Sequence, residues 1–209
     1  LYQDYLRKRS RMYEKILVPL DGSALAEVAL PYAEDLAGRL GSEVTLVYVS
    51  ELTEAPSQHM HQLYLQKMVE STKQGAERYT NKSGRKSIQV RSAILVGNPA
   101  EKIVEHADKE DIALIVMATH GQSGIKQRAL GSVADKVVRA TKCPVALIRA
   151  NGAHSDMREK GILNKVLVPL DGSKQDETVI PYIEELASKL EVEVILFQVL
   201  APECYIPGT

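Results

Sequence analysis

Nine residues, Lys15-Ile-Leu-Val-Pro-Leu-Asp-Gly-Ser23, return as Lys165-Val-Leu-Val-Pro-Leu-Asp-Gly-Ser173 with a single Ile-to-Val change. The copies lie 150 positions apart and stay in step without a gap as far as Val49 and Val199. Such a repeat divides the chain into one module of roughly 140 residues and the opening third of a second. The expected organisation is an extension or expression remnant over 1–11, a domain over 12–150, a linker over 151–163 and an incomplete repeat over 164–209. Each copy places Asp-Gly at the end of an apolar run. Open α/β sheets collect their ligand-binding groups at such strand ends.

The rest of the first module alternates between two periodicities. Lys15 to Asp21 reads as strand one, and Ser23 as the N-cap of a helix over Ala24 to Leu40. Pro31 should kink that helix or mark a late start, because it brings no donor to the preceding turn. Gly41 ends it, and Glu43 to Val49 reads as strand two. Ser50 to Ser83 is helical in type after a loose stretch around Pro56. Ile88 to Val96 is strand three. Asn98-Pro-Ala-Glu101 opens a helix with a cap, a first-turn proline and an acid at the third position. It ends near Lys109. Ile112 to Ala118 is apolar throughout, as a strand covered on both faces should be. Ser132 to Thr141 is a helix in which Asp135 is expected to complete a capping box, and Pro144 to Ile148 is strand five. Strict β-α alternation calls for a doubly wound five-stranded parallel sheet with helices on both faces, plus a partial second β-α-β unit.

Composition narrows the functional classes. The net charge is −1, with 26 basic and 27 acidic residues, so no strong field favours nucleic acid or an anionic membrane. The longest apolar run is too short to span a bilayer. Two cysteines, Cys143 and Cys204, do not make a disulfide framework, and a cytoplasmic setting is expected. Cys143, before Pro144, reads as a packing residue. His59 and His61 would diverge on a helix and have no evident third ligand, so a solvated segment is the simpler reading. The tyrosines are scattered and suggest no stacking platform. A Walker lysine, a G-x-G-x-x-G after strand one, an H-E-x-x-H and a G-x-S-x-G elbow are all missing.

Chemistry concentrates after the fourth strand, in Met117-Ala-Thr-His-Gly-Gln-Ser-Gly-Ile-Lys-Gln-Arg-Ala-Leu-Gly-Ser132. Gly131-Ser132 opens a helix, where free amides and the positive dipole end attract an anion. Lys126 and Arg128 could add charge. A phosphate cradle and a plain glycine-bearing surface loop fit this spacing equally well. Asp21 would share a crevice with the loop if strands one and four are neighbours. It could then hold a ribose, a base or a metal, or simply bind the amides of its own turn. His120 could touch phosphate or brace the turn.

These residues resemble the universal stress protein family in its tandem, ATP-binding form. The family's Gly, two residues, Gly, nine residues, Gly-Ser signature is matched by Gly121 and Gly131-Ser132, with Ala118 in place of the first glycine. Val18-Pro-Leu-Asp-Gly-Ser23 and Lys142-Cys-Pro-Val145 also match. The resemblance covers Met12 to Arg149 in full and Asn164 to Val199 in part. It implies a Rossmann-like fold of the adenine nucleotide alpha hydrolase kind. It also implies that Pro19, Leu20 and Asp21 lie by adenine and ribose, and that Val49 contacts the base. Met117, Ala118 and Gly121 would line the ribose and first phosphates, and Gly131, Ser132 and Val133 would hold the outer phosphates. ATP with Mg2+ is the expected ligand. A homodimer through Pro144 to Ile148 and an unidentified regulatory protein are the expected partners. No base is positioned and no arginine finger is evident, so hydrolysis would be slow at most. A dimeric scaffold that binds no nucleotide is the alternative, and a nucleotidyl transferase a more distant one. An Ala at 118 should cost little if its φ is negative.

Overall fold

The computed structural model describes residues 13–51, 55–83, 87–121, 130–149, 161–174 and 176–199. The extension over 1–11, Lys126, Arg128, most of the linker and Cys204 lie outside them. The chain divides into two compact units, Leu1–Ile162 and Leu163–Thr209.

The first unit is built on β1 (Lys15–Leu20), in which Ile16, Leu17 and Val18 are fully buried. Consecutive buried residues point to opposite faces, so this strand is covered on both sides. It lies at the centre of a five-stranded sheet of order β3-β2-β1-β4-β5, with β2 (Glu43–Ser50), β3 (Val90–Val96), β4 (Leu114–Ala118) and β5 (Val145–Ile148). All neighbours are parallel. The fold is the doubly wound α/β architecture that the alternating pattern calls for.

On one face, the expected single helix is two: α1 (Ala24–Glu27) and α2 (Leu30–Leu40). Pro31 sits in the first turn of α2, where its missing N–H has no intrahelical partner to lose. Gly41 ends α2 with φ of 78°, its N–H donating to the Ala37 carbonyl. The long α3 (Ala55–Ser83) packs on α2 through Leu65, Met68, Thr72 and Ala76, which are buried at helical spacing. At Gly38 the helices meet so closely that a Cβ would stand 2.6 Å from the Ala76 carbonyl oxygen.

The other face carries α4 (Pro99–Lys109) and α5 (Ser132–Ala140). Their Ala100, Ile103, Ala107, Ala134 and Val137 close over Leu17, Val47, Ile115 and Met117. Asn98 caps α4 by accepting from the Glu101 N–H, as its sequence indicates. The fourth strand begins two residues later than the apolar run suggests. Asp111 turns the chain with φ of 52°, and the Ile112 N–H is still committed to the Ala107 carbonyl. Sheet pairing begins with the Ala113 N–H on the Lys15 carbonyl.

The second unit repeats the opening motif. It has β6 (Lys165–Leu170), a 3-10 turn (Asp176–Val179), α6 (Ile180–Leu190) and β7 (Glu193–Gln198), with β6 and β7 parallel.

Candidate functional site

Strands one and four are neighbours, so the sheet reverses its winding between them. Ligand crevices of open α/β folds form at the carboxyl ends of strands at such a point. A cavity of about 650 Å3 lies there. This is within the usual range for small-molecule sites. All eleven residues singled out from the sequence line it: Pro19, Leu20, Asp21, Val49, Met117, Ala118, His120, Gly121, Gly131, Ser132 and Val133.

Asp21 follows β1. Its Oδ1 accepts from the Ser23 N–H at 3.0 Å and from the Ser23 hydroxyl at 2.6 Å. Gly22 makes this turn possible with φ of 82°. The turn recurs in the second unit, where Asp171 Oδ1 accepts from the Ser173 N–H at 2.8 Å. The turn is therefore a local property of Asp-Gly-Ser and accounts for Oδ1. Oδ2 faces Gly121, where a Cβ would lie only 2.1 Å away. Glycine at 121 is what lets the two strand ends share one cleft.

Ala118 belongs to β4, pairs with Ile148 and has no positive φ. Its methyl causes no backbone strain. Beyond it, the Thr119 N–H donates to the Ile148 carbonyl and the Thr119 carbonyl accepts from the Gly131 N–H at 2.9 Å. That bond draws the start of α5 against the end of β4. A Cβ at Gly131 would come within 2.9 Å of the same carbonyl. His120 Nδ1 lies 3.1 Å from the Thr119 hydroxyl, which braces the turn.

The expected capping box at Ser132 does not form. The N-cap is Gly131, one residue earlier, and it makes no side-chain bond. Asp135 instead holds the Arg139 Nε through both carboxylate oxygens at 3.0 Å. Ser132 is thus the first helical residue, with its side chain free of capping duty. The N–H groups of Ser132, Val133 and Ala134 have no intrahelical acceptor and stand at the positive end of a nine-residue helix beside the cavity. The Gly131 N–H differs from these, being committed to Thr119.

The sequence reading missed one wall. His61 is not simply solvated: its ring stacks on Tyr48 with centroids 4.0 Å apart, and both line the cavity. Tyr64 meets Tyr48 edge-on at 6.3 Å, and its hydroxyl donates to Glu27 at 3.0 Å. Burial, with the Glu27 bond after it, pushes the Tyr64 phenol far up. His59 is exposed. Cys143 is half-buried, with its thiol pushed up by burial, in keeping with a packing role.

No cluster of three or more His, Cys, Asp or Glu suited to a metal occurs among the described residues. Asp21 is the carboxylate of the cleft that could join a divalent ion brought by a ligand. No helix among the described residues is long and apolar enough to cross a membrane.

Taken together, the fold and cleft define a doubly wound α/β domain with a ligand-sized cleft where the sheet reverses its winding. The family model for the universal stress protein family matches residues 12–149, and the chain belongs to that family. It is 32% identical over 148 residues to the universal stress protein YxiE of Bacillus subtilis, covering 66% of this chain and all of that one. A universal stress protein of Methanocaldococcus jannaschii is 29% identical over 147 residues, with 69% of this chain and 86% of that one covered. A solved universal stress protein from Archaeoglobus fulgidus shares the fold with a TM-score of 0.63 and 22% identity, covering 91% of this chain and 68% of that chain.

Proposed function

We propose that this chain is a regulatory module that binds ATP with Mg2+ in the cleft between β1 and β4. The observation that carries this reading is the convergence of three groups on one cavity: the Asp21 carboxylate, the glycine-bearing end of β4, and the N-terminal amides of α5. An acid beside an anion-binding helix end suits a ligand with hydroxyls at one end and phosphates at the other. The ends of β2 and β4 stand two strand spacings apart, about 10 Å. That span suits a nucleotide better than a free phosphate.

Hydrolysis is slow at most, and the nucleotide acts as a signal. The protein works in the cytoplasm, as a homodimer that pairs through Pro144 to Ile148 and acts on a regulatory protein partner. It does not act on nucleic acid. Support for the pairing comes from β5, which lies at the sheet edge with Leu147 exposed.

Calorimetric titration of nucleotide-free protein with Mg-ATP tests the reading, with ADP and AMP as comparisons. Saturable binding at about one site per chain is expected, weakening from ATP to AMP as anchoring phosphates are removed. Folded protein that binds none of the three would leave the dimeric scaffold as the function.

A further inference from the structure

The wall made by Tyr48 and His61 lies outside the glycine signature and has no role in it. Side chains alternate along β2. Val49 packs toward the α4 and α5 face, and Tyr48 faces α3 on the other side of the sheet. His61 reaches the cleft from α3 and stacks against Tyr48. The Glu27–Tyr64 hydrogen bond fixes this wall from behind. It stands at the β2 side of the cavity, across β1 from the α5 amides.

Both rings of the stacked pair line the cavity, which places an aromatic surface where a bound molecule would rest. His61 Nδ1 is itself buried, so the ring meets the cavity through its other atoms. The Tyr48 phenol is pushed up by burial and then by the charge of Asp21, so it stays protonated and can donate or accept. Phosphates are drawn to the α5 end, which leaves the uncharged half of the ligand on the aromatic side.

We propose that Tyr48 and His61 are specificity-determining residues that hold the nucleoside half of the ligand, so that the cleft prefers a nucleoside phosphate to a bare polyphosphate. The proposal rests on the nucleotide reading given above. Tyr48 offers a hydroxyl and an apolar ring edge, and His61 offers aromatic surface to a ribose or base.

The test follows the His61 ring signals by NMR, assigned with His61→Gln, while wild-type protein receives Mg-ATP or Mg-tripolyphosphate. The His61 signals should move with ATP and stay in place with tripolyphosphate. Calorimetry on His61→Ala and Tyr48→Leu should show ATP binding weakened about fivefold in each, the scale of one aromatic contact. Thermal melting of both variants checks that they fold, and the His61 variant stands in if Tyr48→Leu does not. Wild-type protein that binds ATP with unmoved His61 signals, together with unchanged ATP affinity in the folded variants, overturns the proposal. A lowered melting temperature with unchanged affinity would mean that the stack serves only to dock α3, and overturns it equally. Failure of the wild-type protein to bind ATP removes the nucleotide reading itself, an outcome distinguishable because it involves no variant.

Discussion

Gly121 and Glu191 show how one position can be decided by space or by backbone conformation. At Gly121 no positive φ is involved, but an added Cβ would lie 2.1 Å from Asp21 Oδ2. Gly121→Ala must therefore push the carboxylate out of its place. We expect at least a roughly tenfold loss in ATP affinity by calorimetry, with the melting temperature close to wild type because the strain falls on a movable side chain. Glu191 presents the opposite case. It occupies the second repeat's equivalent of Gly41, with φ of 50° where Gly41 has 78°. A left-handed conformation costs a non-glycine residue roughly 1–2 kcal/mol. Glu191→Gly should stabilise the second unit by about 1 kcal/mol, read as slower amide hydrogen exchange in α6 and β7. The cleft was legible at this scale where its residues are close in sequence. Asp21-Gly-Ser23 and Gly131-Ser132 carry their turn and helix-start chemistry in adjacent side chains. Tyr48 and His61 carry no such local mark, because their stacking depends on how α3 lies across β2.

At the level of elements, apolar periodicity placed the strands and helices, and hydrogen bonding corrected their ends. Ile112 is as buried as a strand residue, yet its N–H still belongs to the α4 terminus, so β4 begins later. Ser132 looks like a cap by type, but Gly131 takes that position because its N–H is tied to Thr119. Neither difference changes which face is buried, and this is why the doubly wound parallel class was readable from alternation, whereas the neighbouring of β1 and β4 comes from the structure. The helix α4 also carries a titration. His106 is half-buried, and desolvation lowers its pKa from 6.5, outweighing the neighbouring Glu110 charge. Below about pH 6.5 the unfolded chain takes up a proton that the folded chain resists, so stability falls as pH drops through this window. Denaturant melts from pH 7.5 to 5.5 should show a shallower decline for His106→Gln than for wild type. Equal slopes would mean that His106 is hydrated freely in the folded protein.

For the whole molecule, the two repeats share a sequence but not a burial pattern. Leu17 and Val47 are fully buried under α4 and α5, whereas their counterparts Leu167 and Phe197 are 58% and 49% exposed. The repeat therefore encodes strand, turn and helix in both places, and a complete core in the first unit alone among the described residues. The last residues of the first unit take part in its buried chemistry. Asp35 is fully buried in α2, pairs with Arg39 at 3.6 Å, and accepts from the Ile162 N–H at 2.8 Å. Gly161 reaches that contact with φ of 87°, and a Cβ there would stand 2.6 Å from an Arg39 guanidinium nitrogen. The end of the linker thus helps satisfy a carboxylate inside the first unit. A chain ended after Ile162 should keep the melting temperature of the first unit, whereas one ended after residue 160 should lose it by several degrees. Leaving a buried acceptor short of its donor costs about 1–3 kcal/mol, and each kcal/mol moves the midpoint of a domain this size by roughly 2–4 °C. Asp35→Asn in the shorter chain should recover part of the loss, because a neutral amide is less costly than a carboxylate at a buried site with one partner fewer. If both truncations melt alike, the Ile162 bond is replaced by water and Asp35 is held by Arg39 and its own helix.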